Sequence, residues 1–148
     1  MGAGDHYQLQ RESLSELFAG LGRDQLATPV PGCPEWTVRD LLAHLVGVPA
    51  DVMAGVVEGS GSAPWTRAQV EARAGRSVGD LLDEWEAIAL SFEAALDGLG
   101  VLGWILVMDI AMHSDDVREA LGQPLGDSET HDLVLERLDQ DEGLNSIA

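Results

Sequence analysis

Apolar positions along this chain recur at helical spacing almost throughout, and no stretch alternates for long enough to read as a strand. Leu14, Leu17, Phe18 and Leu21 form one stripe, which predicts a helix from about Asp5 to Leu21, ended by Gly20 and Gly22. The run from Thr28 to Glu35 holds three prolines and a glycine, so it reads as an ordered loop. Thr37 is a good N-cap with Asp40 three residues on, and Leu41, His44, Leu45, Val48 and Val52 follow on one inward face. Pro49 interrupts that face and predicts a kink or a break. After a flexible connection over 59–64, Thr66-Arg-Ala-Gln69 reads as a capping box opening a short helix to about Arg73.

Ser77 with Asp80 caps the third long helix, whose stripe runs Val78, Leu81, Leu82, Trp85, Ile88, Ala89, Phe92, Ala95, Leu96 and Leu99. The linker 97–100 allows only a tight turn, so the fourth long helix, from about Val101 to Leu121, returns antiparallel and stops at Gly122 and Pro124. The expected fold class is all-α, an up-down four-helix bundle over residues 1–124. The tail over 125–148 adds at most one thin helix, over 128–138.

Composition narrows the function classes. A chain of 148 residues with 45% apolar content supports one domain with its own core. Eight basic residues face 26 acidic ones, for a formal charge of −18, which argues against nucleic acid and anionic membrane surfaces as partners. The same charge also reads simply as a solvated, self-repelling surface. Cys33 is the only cysteine, so no internal disulfide forms. Met1-Gly-Ala-Gly-Asp5 has neither the basic nor the apolar part of a signal peptide, and the apolar run Val101–Met108 is too short to span a bilayer. A cytoplasmic protein is expected.

Two of the four histidines lie on inward stripes. On the fourth long helix Leu102, Ile105, Leu106, Asp109, His113, Asp116, Val117 and Ala120 share a face, and Asp109 and His113 are four residues apart, one above the other. A carboxylate and an imidazole at that spacing suit a metal ion, and bundle interiors are where such sites are built. The same pair also reads as a hydrogen-bonded pair with no metal. His44, inward on another helix, tilts the balance toward metal, because an unpaired buried Asp109 is expensive and a divalent cation removes the cost. Cys33 precedes a helix N-terminus, but its place between Gly32 and Pro34 favours loop packing over nucleophilic work. Trp36, Trp85 and Trp104 are expected in the core or a pocket wall, with Trp65 partly exposed. Met108 and Met112 are packing residues, and His6 and His131 are expected at the surface.

Two longer words give the chain a likeness. Cys33-Pro-Glu-Trp-Thr-Val-Arg-Asp-Leu-Leu-Ala-His44-Leu resembles the pattern C-P-G-W-T-V-R-D-L-x-x-H-L of mycothiol-dependent maleylpyruvate isomerase N-terminal domains, within the DinB-like metalloprotein superfamily. Asp109-Ile-Ala-Met-His113-Ser-Asp-Asp116-Val-Arg118-Glu-Ala-Leu-Gly122 resembles the second block, D/E-x-x-x-H-x-x-D-x-R-x-A-x-G. The resemblance covers about residues 10–124. It implies a DinB-like bundle and a divalent ion, zinc above others, held by His44, Asp109 and His113, with glutamate frequent among relatives where Asp109 stands. Three protein ligands leave a fourth position open, as in catalytic zinc sites. The resemblance further implies mycothiol as thiol co-substrate, whose pKa a cation at the sulfur lowers.

Asp116 is then a candidate to orient His113, and Arg118 a candidate to clamp a carboxylate substrate or the thiol cofactor. The implied activity is that of an isomerase or S-transferase acting on a small electrophile. The turn between the third and fourth helices is shorter than in many relatives, and residues 125–148 are too few for the isomerase's second domain, so maleylpyruvate itself is not the expected substrate. The alternatives are a non-catalytic metal-binding protein and a metal-free dimerising bundle. An apolar patch on the first or third long helix would favour a homodimer under any of them.

Overall fold

Short polar side chains set where several of the helices begin. The computed structural model describes residues 1–126 and 129–140. Among them are helices α1 (Ala3–Ala19), α2 (Arg23–Leu26), α3 (Val38–Met53), α4 (Ala63–Ala72), α5 (Val78–Gly98), α6 (Val101–Ala120) and α7 (Glu129–Gln140). Thr37 accepts from the Asp40 amide while Asp40 accepts from the Thr37 amide, a reciprocal cap that opens α3. Ser77 caps α5 through the Asp80 amide. For α4 the cap is Ser62, with Pro64 in the first turn, so the helix starts earlier than Thr66 and Gln69 is free for another task.

The protein is mostly helical, in broad agreement with the all-α expectation, with a small two-stranded sheet where a loop was expected. Strands β1 (Pro29–Val30) and β2 (Cys33–Thr37) pair antiparallel, Val30 opposite Cys33 and Pro29 opposite Thr37, with an irregularity between. Prolines that exclude a helix are compatible with so short an edge hairpin. Pro49 does not break α3, which continues to Met53. The tail helix is present as α7 and packs on α6, burying Val134, while Ser128 and residues 141–148 of the expected tail lie outside the described residues.

Helix α1 packs on α5 and α6, and α3 packs on α4, α5 and α6. Between them lie Leu14, Phe18, Leu41, Leu45, Trp85, Phe92, Leu96, Val107 and Ile110, all fully buried. Two polar contacts cross this core. Trp85 Nε1 donates to the Tyr7 hydroxyl at 3.1 Å, and buried Arg11 pairs with Glu93 at 2.8 Å. Burial pushes the Glu93 carboxyl up despite that arginine, so desolvation offsets part of the attraction between the two charges.

On α6 the buried face is Gly103, Val107, Ile110, Ala111, Ser114 and Val117. The stripe read from the sequence lies to one side of it. Leu102 and Ile105 are exposed, and Asp109, His113 and Asp116 stand at the margin of the core rather than within it.

Residues 41–49 of α3 are buried on every side because α4 covers the face that the sequence stripe left open. Gly47 makes that approach possible. A Cβ there would lie 2.6 Å from the Cβ of Gln69. Alanine in place of a mid-helix glycine ordinarily stabilises by about 1 kcal/mol. Here Gly47→Ala is expected to destabilise by about 1–3 kcal/mol, because α4 must shift. Thermal or urea denaturation checks this, and a raised midpoint would contradict the packing described.

Candidate metal centre

Helices α3 and α6 carry His44, Asp109 and His113 to one point. His44 Nε2 lies 3.6 Å from Asp109 Oδ2, and His113 Nε2 lies 3.4 Å from Asp109 Oδ1. The imidazoles meet edge to face with centroids 4.8 Å apart. One ligand atom from each of the three residues falls within 4.8 Å of the other two, a group able to hold a metal ion. Two imidazole nitrogens and one carboxylate are a donor set that zinc accepts, and they leave room for a further ligand.

Each imidazole is fixed through its other nitrogen. His113 Nδ1 lies 3.0 Å from Asp116 Oδ2. His44 Nδ1 lies 2.7 Å from Gln69 Oε1, and Gln69 Nε2 donates to Asp51 Oδ2 at 2.9 Å. A carboxylate only accepts, so Asp51 fixes which end of the Gln69 amide faces His44. The carbonyl end faces it, so His44 donates from Nδ1 and turns Nε2 toward Asp109. Both rings thus present Nε2 to the centre, as second partners of metal-bound histidines commonly arrange.

Gln69 and Asp51 are the residues that sequence reasoning missed. Gln69 carried a capping pattern that the structure does not use. Asp51 carried a usable signal, since it lies two turns after His44 on the same helix. No local spacing links either residue to α4's approach over Gly47.

The electrostatics are those of a mutually compensating cluster. Burial opposes ionisation of Asp109, but hydrogen bonds from His113 and His44 outweigh it and hold the carboxyl well below the usual range. Burial likewise disfavours charged His113, yet Asp109 and Asp116 raise its pKa to about 9. Without an ion His113 therefore carries a proton at neutral pH. The Cys33 thiol is pushed up by burial and by Asp116 and Glu35, which does not suit a thiolate nucleophile.

A cavity of about 500 Å³ opens directly onto the triad, walled mainly by Trp36, Trp65 and aliphatic side chains of α3 and α6, with Val57, Ser60 and Thr66 on the side of the connection to α4. Cys33 also lines it, so the hairpin β1–β2 serves as one wall. Trp85 is fully buried and Trp104 packs on the core, while Trp65 is half-buried and donates to the Val56 carbonyl at 3.0 Å. Arg118 is not among the residues around this cavity. Its guanidinium donates to Ser13 and Ser114, at 3.2 and 3.4 Å, beside a smaller polar pocket of about 220 Å³ between α1, α6 and α7. His6 lies against Trp104 with the rings tilted, and His131 pairs with Asp115 at 3.4 Å; both are half-buried rather than at the open surface, and both lie apart from the triad.

A helical domain with two histidines and an aspartate converging beside a cavity defines a class, and comparison with known proteins gives the family. The family model of the mycothiol maleylpyruvate isomerase N-terminal domain matches residues 7–133, and the chain belongs to that family. Two uncharacterized proteins of Mycobacterium tuberculosis, one from strain CDC 1551 / Oshkosh and one from strain H37Rv, are each 42% identical to it over 41 residues. That match covers 28% of this chain and only 22% of the length of those relatives. No solved structure matches the chain.

The chain of hydrogen bonds through Gln69 makes a specific expectation. In metal-free protein, imidazole ¹⁵N spectra should show His44 protonated at Nδ1. Asp51→Asn lets the Gln69 amide face either way and should lower the occupancy of that Nδ1 proton. A wild-type His44 without a proton at Nδ1 would contradict the arrangement.

Proposed function

We propose that this chain is a metal-dependent, thiol-using domain, with His44, Asp109 and His113 holding one divalent ion, zinc by preference. In this reading the four long helices α1, α3, α5 and α6 make an up-down four-helix bundle of the DinB-like type within residues 1–124, in a cytoplasmic protein. The observation that carries the reading is the convergence of two Nε2 atoms and a carboxylate at the floor of an open cavity. A closed coordination sphere without an adjoining pocket would have favoured a non-catalytic metal protein instead.

Family membership supports mycothiol as the thiol and an isomerase or S-transferase reaction on a small electrophile. A bound divalent cation would supply Lewis acidity at the thiol sulfur, making thiolate available at neutral pH. The residues of the chain do the remaining work. Asp116 and Gln69 hold the two imidazoles in orientation, and Asp109 supplies the one anionic ligand. The apolar wall excludes water from the reacting atoms. The thiol sulfur, having lost its proton, adds to an electrophilic carbon of the substrate. If the C–S bond is kept and the neighbouring carbon takes a proton, the outcome is transfer. If the adduct rotates and the C–S bond breaks, the electron pair leaves with sulfur, the thiolate is regenerated and the outcome is isomerisation.

Elemental analysis and metal titration of the purified protein test this. The wild type should bind about one equivalent of zinc, and His44→Ala and His113→Ala should each weaken it at least about 100-fold. In the cobalt-substituted protein, mycothiol should produce a sulfur-to-metal charge-transfer band. Sub-stoichiometric metal unaffected by either substitution would overturn the metal reading, and an unchanged cobalt spectrum would overturn the thiol reading.

A further inference from the structure

The wall of the cavity beside the triad restricts what fills it. Trp36 and Trp65 line it with aromatic surface, and Val48 of α3 lines it about one turn after His44. At its margin Val57, Leu102 and Ile105 remain 51%, 47% and 45% exposed. Apolar side chains left in water around an apolar cavity are suited to contact with a nonpolar ligand.

Charge is the sharper constraint. All eight basic residues of the chain are arginines, and none lines this cavity. Arg39 is held by the carbonyls of Arg73 and Arg76, and Arg73 and Arg76 are both paired with Glu84. Arg11 is committed to Glu93, and Arg118 to two serines by the other pocket. A divalent ion beside Asp109 leaves one net positive charge at the floor, enough for a single anionic group, the thiolate or, in its absence, one carboxylate of the ligand. A second carboxylate on the ligand would meet indole and aliphatic surface and the Ser60 and Thr66 hydroxyls, which already donate to the Val57 and Ser62 carbonyls, and would find no cationic side chain, which is unfavourable. The net charge of −18 disfavours it further.

We propose that the substrate occupying this cavity is a neutral or monoanionic molecule with an aromatic or branched aliphatic body, not a dicarboxylate. The single anionic head rests on the metal reading above, whereas the apolar body rests on the wall alone. Cinnamate and fumarate are matched probes, since both contain an acrylate and differ in a phenyl group against a second carboxylate. Calorimetry on the full chain, zinc-loaded and metal-free, should show cinnamate bound at least about tenfold more tightly than fumarate in both forms. Ile105→Arg, at an exposed position that tolerates the change, should raise fumarate affinity about tenfold by supplying the missing cation. Equal or tighter binding of fumarate to the wild type would overturn the proposal, as would an Ile105→Arg protein with no gain for fumarate. A kept preference for cinnamate whose affinity does not rise on zinc loading would retain this proposal and overturn the metal reading. Zinc bound at the triad without that preference would overturn this proposal alone.

Discussion

The Asp109 carboxylate sits at the floor of an apolar cavity, and the arrangement around it answers the need to keep that charge compensated. Two imidazoles from different helices face it, and each is held by a hydrogen bond on its far side. Breaking either outer hydrogen bond would free a ring to turn, and Asp109 would then meet apolar wall. The relative placement of α3 and α6 is therefore tied to one carboxylate. Divalent metal chemistry suits the same geometry because a cation satisfies the carboxylate and both Nε2 atoms together.

That centre depends on a second constraint farther out. Gln69 reaches His44 only because α4 lies directly on α3, and α4 lies there because Gly47 presents no side chain. The far side of α4 is anchored by Arg73, whose guanidinium bridges to Glu84 on α5. Arg39 of α3 binds the carbonyls just after α4, closing the loop of contacts. Orientation of a single imidazole thus draws on three helices. The cavity shares those walls, so ligand shape and ring orientation are set by one packing arrangement.

Much of this was legible along the chain. Helical periodicity located the long helices, and Thr37 and Ser77 marked two of their starts. The four-residue spacing of Asp109 and His113 placed both on one side of α6, and His44 fell on the inward face of α3. Asp116 was readable as the partner of His113 because it lies less than one turn away. What was not legible depended on tertiary contacts. The hairpin β1–β2 pairs too few residues to leave an alternating pattern, and prolines disguise it further. Gln69 resembled a cap because Thr66 preceded it by three residues, whereas Ser62 does the capping. Arg118 sits one turn beyond Ser114, and helix rotation carries it toward α1 rather than toward the triad. Leu102 and Ile105 belonged to an apolar stripe, but the structure leaves them in water at the margin of the cavity.

X-ray absorption at the zinc edge of the loaded protein, in thiol-free buffer, tests the central claim most directly. The account predicts light-atom ligands at ~2.0–2.1 Å with the multiple scattering of two imidazoles, and no sulfur shell. Asp116→Asn should keep both imidazoles bound, and His113→Ala should leave one. A sulfur shell at ~2.3 Å, or zinc surrounded by oxygen with no imidazole scattering, would contradict the centre described.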